Sequence, residues 1–148
     1  MRALIQRVDR AKVTVDGEVV GQIDKGLLVL LGVTHDDTED IAHKLASKVS
    51  KLRIFNDDAG KMNLSVKDVG GSVLVVSQFT LYADAKGGNR PSYITAAQPE
   101  KATQLYEVFS NSLRTLDFTV ANGKFGANMD VELLNQGPVT IWLDSVDF

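Results

Sequence analysis

The chain has 148 residues, 44% of them hydrophobic, no cysteine and a formal net charge of −3 at neutral pH. That length and apolar fraction suffice for a single domain, 1–148, whose core needs no staple, and the missing thiols exclude a disulfide framework, a thiolate nucleophile and a sulfur-ligated zinc. The acidic balance excludes a sequence-independent nucleic-acid coat though not a small RNA footprint, and no apolar run approaches the roughly 20 residues of a membrane span, so a soluble, cytoplasmic protein without a DNA or membrane partner is expected.

In chain order, 2–8 and 11–15 alternate as half-buried strands do, and Asp16-Gly17 supplies the positive φ angles of a two-residue hairpin turn. GLLVLLGV (26–33) is apolar on both faces and bounded by glycine, the pattern of a strand covered on both sides. A helix follows, with Asp37 placed as its cap, Asp40 near the positive end of the dipole, and Ile41, Leu45, Val49 and Leu52 as one stripe ending near Arg53. Lys44, Lys48 and Lys51 share another face, which reads either as solvated surface or as a contact to RNA backbone.

A polar loop, NDDAGKMN (56–63), leads to a second buried strand within GGSVLVVSQFTLYAD (70–84), and KGGNRPSY (86–93) is a glycine-rich loop. Pro99 fits the first turn of a second helix, with Ala102, Leu105, Tyr106, Phe109, Leu113 and Leu116 facing inward. Asn122-Gly123 marks a turn, and two closing strands, about 130–135 and 139–144, flank Gly137-Pro138. Proline cannot donate to a ladder and glycine weakens a strand, so this pair reads as a tight turn or as backbone displayed for a purpose.

Period two places Ser77, Phe79 and Leu81 on one face of the second buried strand and Gln78, Thr80 and Tyr82 on the other. Polarity begins at Ser77, at a carboxyl end where sheets present ligand-binding groups, although simple solvation of a strand end gives the same pattern. A hydroxyl at Ser77 or Thr80 needs an activating base. The available imidazoles are His35, beside the acidic helix start, and His43, off the apolar stripe; neither is placed as that base. Two histidines eight apart and scattered carboxylates form no metal-ligand set, and GGNRPSY lacks the lysine and glycine spacing of a phosphate or dinucleotide loop. No metal or cofactor is expected.

SQFTL at 77–81 and NQGPVT at 135–140 together resemble the two signature motifs of the D-aminoacyl-tRNA deacylases, enzymes that free tRNA from wrongly attached D-amino acids. MRALIQRV, GLLVLLGV, NRPSY, PEKA and FGANM are similar to the same family in the same order, so the resemblance spans nearly the whole chain. It implies an α+β domain with a mostly antiparallel or mixed, barrel-like sheet and two main helices. It also implies a metal-independent ester hydrolase that acts on the 3′ end of D-aminoacyl-tRNA as a homodimer with its active site at the interface.

In that resemblance a cis Gly137-Pro138 peptide enters the partner's site, and the carbonyls of Gly137 and Pro138 receive the substrate's α-amino group. An L side chain then strikes the proline, whereas glycine passes, so glycyl-tRNA mischarged on a non-cognate tRNA is an implied second substrate. Ser77, Gln78, Phe79 and Thr80 are the implied catalytic group: backbone N–H donors around Phe79 and Thr80 for the oxyanion, Gln78 to orient, and Thr80 to position water rather than attack, assisted by the terminal adenosine's 2′-hydroxyl. Ala102, Phe125 and Met129 are implied pocket walls, with plain core packing as the alternative. Gln136 and Asn128 stand where many members carry an acidic residue, which lowers the local negative charge. The competing readings are a non-catalytic RNA-end or protein-interaction module on the same fold, and an editing domain that removes an L-amino acid.

Overall fold

The alternation at the amino end produces one strand where two were expected. In a computed structural model that describes residues 1–148, β1 (Arg2–Val15) runs unbroken. One of its edges pairs antiparallel with β3 (Gly26–Gly32) over residues 2–8 and with β2 (Glu18–Ile23) over 11–15. Its other edge pairs antiparallel with β8 (Asp130–Asp144) over nearly its whole length. Beyond β3 the sheet turns parallel, through β6 (Ser72–Ser77) to β7 (Val120–Asn122), a short strand where the sequence pattern indicates only a turn.

The sheet curls until its ends approach. A Cβ at Gly21 in β2 would lie 2.2 Å from the carbonyl oxygen of Asn122 in β7, so glycine is what allows this near-barrel closure. Curling gives β3 and β6 two apolar faces with separate destinations. Leu27, Val29, Leu31, Val73 and Val75 face α1 (Glu39–Lys51) and α2 (Pro99–Thr115) in the main core, while Leu28, Leu74 and Val76 join Val8, Val13 and Ile23 inside the curl. Both strands therefore read as continuous apolar runs.

Several expectations are corrected. Thr38, not Asp37, caps α1, accepting from the Ile41 N–H at 3.3 Å. Asp37 is buried instead, where it meets the Met1 ammonium at 2.7 Å and the Thr34 N–H at 2.8 Å. Leu116 was expected to face inward but is exposed, because α2 ends at Thr115 and the chain leaves the helical face there. The polar loop holds a small hairpin, β4 (Phe55–Asn56) with β5 (Met62–Leu64).

SQFTL is not a strand end alone. The β6 ladder stops with the Gln78 N–H bonded to the Leu31 carbonyl at 2.8 Å, and Phe79–Tyr82 form one 3-10 turn. Gly32 makes room for it: a Cβ there would lie 3.1 Å from both the Gln78 oxygen and the Leu81 Cβ. Tyr82 is buried as the turn folds back over β3. The closing strands also differ, since β8 is continuous through Gly137-Pro138. Gln6 pairs with Thr140 and Val8 with Asn135, so the four residues 136–139 stand opposite Arg7 alone. The element is a bulge of four residues against one, not a chain reversal. No helix is long and apolar enough to cross a membrane.

Candidate active site

The turn after β6 delivers Ser77, Gln78 and Phe79 to one side of a cavity of about 630 Å³. Ala102, in the first turns of α2, and Phe125 and Met129, in the segment joining β7 to β8, line it as well. Six residues singled out in the sequence are thus brought together from three distant segments. Thr80 does not line the cavity but adjoins it, its hydroxyl accepting a hydrogen bond from the Gln78 side-chain amide. The amides of Phe79 and Thr80 open a single helical turn, where N–H groups have no acceptor within the helix.

The cavity is chemically neutral. No His, Asp, Glu, Lys or Arg lines it, and its one titratable group is the Tyr93 phenol. His35 instead bonds the Ile94 carbonyl at 2.6 Å, fixing a neighbouring loop rather than the helix start, and His43 bonds the Ser112 hydroxyl at 2.6 Å. Neither reaches Thr80. The site therefore offers oriented dipoles, amide N–H groups and hydroxyls, with no side-chain base to activate a nucleophile.

A buried polar network supports the Phe125 wall. Tyr106 donates to the Val75 carbonyl at 2.8 Å and accepts from the Asn122 amide at 2.9 Å, with its ring 6.0 Å from that of Phe125. Burial raises the Tyr106 pKa above the ordinary phenol value, so it remains a neutral donor. The helical stripe marks Tyr106 as core only; its hydroxyl on an inward helical face was the signal that a partner had to exist. On the other side of the turn, Arg2 donates to the Leu81 carbonyl at 2.8 Å and to Asp144 at 2.9 Å, with its guanidinium 4.3 Å from the Tyr82 ring centroid. This ties the turn to β8. Burial, reinforced by the charges of Asp37 and Asp144 against the opposing Arg2, also raises the Tyr82 pKa.

Gly137 and Pro138 lie elsewhere. Both are exposed, joined by a cis peptide, and neither lines the cavity. The bulge is clamped from within by Arg7, only 5% exposed, which donates Nε to the Gln136 carbonyl at 3.0 Å and Nη1 to the Ile54 carbonyl at 2.7 Å. Gly137 has φ +124°, which favours glycine, and a Cβ on it would lie 2.7 Å from Arg7 Nη2, so any side chain there must displace the guanidinium. Asn135 brackets the bulge, its Oδ1 accepting from the Val139 N–H at 3.0 Å and its Nδ2 donating to the Thr140 hydroxyl at 3.1 Å. Sequence reasoning missed Arg7, although a cation on the inward register of Ala3 and Ile5 was a visible anomaly. Beside the bulge, β8 leaves Leu133, Leu134 and Trp142 exposed along a strand whose only ladder partner is β1.

Comparison with known proteins gives consistent matches. Residues 4–144 match the family model of D-Tyr-tRNA(Tyr) deacylase. A D-aminoacyl-tRNA deacylase of Deinococcus radiodurans is 60% identical over 144 residues, covering 97% of this chain and 99% of the relative. One from Paracoccus denitrificans is 58% identical over 147 residues, covering 99% of each. Among solved structures, one described as c-Myc DNA Unwinding Element Binding Protein superposes with a TM-score of 0.91 at 41% identity, covering 97% of this chain and 98% of that one.

Proposed function

The chain belongs to the D-Tyr-tRNA(Tyr) deacylase family, and from that premise we propose how it acts as a D-aminoacyl-tRNA deacylase, a hydrolase that splits the ester between tRNA and a D-amino acid. The observation that carries the reading is a cavity with a turn of amides and hydroxyls at its edge and no carboxylate, imidazole or amine in its lining. An ester needs its developing oxyanion held, and the Phe79 and Thr80 N–H groups serve as those donors. Gln78 orients the substrate. Thr80, whose hydroxyl is held by Gln78 rather than by a base, positions the attacking water. Water adds to the ester carbon, the tetrahedral intermediate expels the 3′-oxygen, and the neighbouring 2′-hydroxyl of the terminal adenosine assists the proton's passage to it. Ala102, Phe125 and Met129 wall the amino-acid end.

Chirality is read by a second copy of the chain. In this reading two copies meet along β8, where exposed Leu133, Leu134 and Trp142 offer apolar surface, and each lends its Gly137-Pro138 bulge to the other's cavity. The Gly137 and Pro138 carbonyls accept the α-ammonium. With ammonium and ester both fixed, an L side chain points at Pro138 and is rejected, and a D side chain points away. Glycine has nothing to reject, so glycyl-tRNA on a non-cognate tRNA is a second substrate. The cavity lining has no carboxylate, imidazole or thiolate to hold a metal, and turnover is expected to survive a strong chelator. The enzyme works in the cytoplasm, alongside its substrate. The net charge of −3 gives no support to duplex DNA as a partner.

The direct test follows ester loss from D-tyrosyl-tRNA and L-tyrosyl-tRNA with the pure protein. Acceleration of the D-form alone is expected. No acceleration of either would leave a non-catalytic module, and preference for the L-form an editing domain of the other hand. The cross-subunit step is tested by mixing a subunit altered at Pro138 with one altered at Gln78 and Phe79, each inactive as a homodimer. One site of each mixed dimer then has two intact halves, so activity returns to about half the wild-type value per heterodimer if the sites are independent. A mixture that forms heterodimers and stays inactive overturns the shared site.

A further inference from the structure

The mouth of the cavity carries features that amino-acid recognition does not use. Tyr93 and Phe79 both line it, yet remain 39% and 54% exposed. Their rings meet edge to face, centroids 5.0 Å apart at 71°. Such a pair leaves Tyr93 at least one face uncovered by Phe79. Ile94, next along the chain, is 82% exposed and extends the apolar surface outward.

The loop that leads into Tyr93 is a closed hairpin. Asp84 and Ser92 exchange two backbone hydrogen bonds of 2.8 Å each, and the Asp84 carboxylate accepts the Lys86 N–H at 2.8 Å. Its tip presents Lys86 and Arg90, both exposed, and neither side chain takes part in an ion pair. In a chain of net charge −3 these are two cations outside any ion pair, on the hairpin that leads into Tyr93 and that also holds the Asp84 carboxylate. Cations that follow a backbone, next to rings on which bases stack, are the means by which proteins hold single-stranded nucleic acid.

Size locates what would lie there. A cavity of about 630 Å³ in one copy, shared in the proposed dimer with the partner's bulge, takes no more than one ligand of the size of an aminoacyl nucleoside, so the nucleotide before the esterified one lies at the mouth. Resting on the deacylase reading, we infer that the mouth is a second RNA subsite, where Tyr93, propped by Phe79, stacks the base of the penultimate nucleotide and Arg90 with Lys86 takes the adjoining phosphate. This interaction is with unpaired RNA at the 3′ end and is tolerant of base identity, because every base has a π face.

The test compares two substrates that share an ester and differ in RNA: D-tyrosyl-tRNA and D-tyrosyl-adenosine, which has no phosphate and no second base. Tyr93→Ala is expected to lower kcat/KM on the tRNA about tenfold more than on the nucleoside ester, with recovery in Tyr93→Trp. The double variant Lys86→Ala/Arg90→Ala is expected to lower it selectively on the tRNA and to flatten the salt dependence by about 0.7 in log–log slope for each phosphate that is no longer neutralised. Equal losses on both substrates would assign these residues to the amino-acid cavity and overturn the subsite, as would undiminished tRNA turnover or a Tyr93→Trp variant as impaired as Tyr93→Ala. Binding of the unesterified tetranucleotide ACCA, measured by fluorescence anisotropy on the same variants, decides independently of hydrolysis. Weakened binding in both variants supports the subsite even if the wild-type protein hydrolysed neither ester, and unchanged binding overturns it.

Discussion

The turn at 79–82 and the bulge at 136–139 both break the regularity of a strand, and they are built by opposite means. The turn is made by apolar packing: Gly32 leaves room, Tyr82 fills it, and amide hydrogens are what the backbone has left to offer. The bulge is made by a buried cation, with Arg7 drawing the Gln136 and Ile54 carbonyls inward while Gly137 and Pro138 stay exposed. One presents donors, the other acceptors. An aminoacyl ester has an oxygen that gains negative charge and an ammonium that carries positive charge, and the proposed function assigns one region to each.

The contrast is broken most severely at Gly137. Gly137→Ala places a Cβ 2.7 Å from Arg7 Nη2 at φ +124°, and displacing the bulge by about 1 Å is expected to lower kcat/KM on D-tyrosyl-tRNA on the order of 100-fold. Activity within threefold of wild type in a folded dimer would show that the bulge's position is immaterial. Arg7→Met tests the clamp. Replacing it by an apolar chain of similar length leaves the Gln136 and Ile54 carbonyls without their donor, which is expected to lower denaturant stability by roughly 1–3 kcal/mol and to cost roughly 30-fold in kcat/KM as the bulge loosens. A fall in stability without a fall in activity would make Arg7 merely structural.

On the turn side the expected effects are smaller. On the proposed role, in which its hydroxyl only positions the attacking water, Thr80→Ala should keep kcat within about tenfold of wild type; a drop to background, or a trapped threonyl ester, would make it the nucleophile. Smallest is a pH effect on stability. The folded-state pKa of Tyr106 is raised, so its contribution is fully present below about pH 10, where the unfolded phenol begins to ionise, and declines as pH climbs toward the folded value. Urea midpoints measured from pH 8 to 11 should therefore fall less steeply in Tyr106→Phe than in wild type.

What could be read in the sequence followed from local rules. The doubly apolar runs of β3 and β6 and the stripes of α1 and α2 announce themselves within a few residues, and the cavity residues Ser77, Gln78 and Phe79 share one motif. What could not be read depended on distant partners. Phe79 and Leu81 continue the alternation of a strand, and the turn that replaces it packs closely on Gly32, on another strand that no local pattern connects to it. The stretches at 130–135 and 139–144 look like two strands until β1 is seen to be long enough to pair with both. Asp37 resembles a helix cap because nothing nearby reveals the ammonium it meets.

A tip that joins two separate strands can swing about its stems. The bulge at 136–139 cannot, because the ladder between β8 and β1 resumes on either side of it, at Asn135 and at Thr140. Large excursions of Pro138 must carry that ladder along, which makes the opening of the bulge and of its flanking sheet one event. In hydrogen exchange the paired amides before and after the bulge should then share a single opening free energy, and the proline would keep time with the sheet.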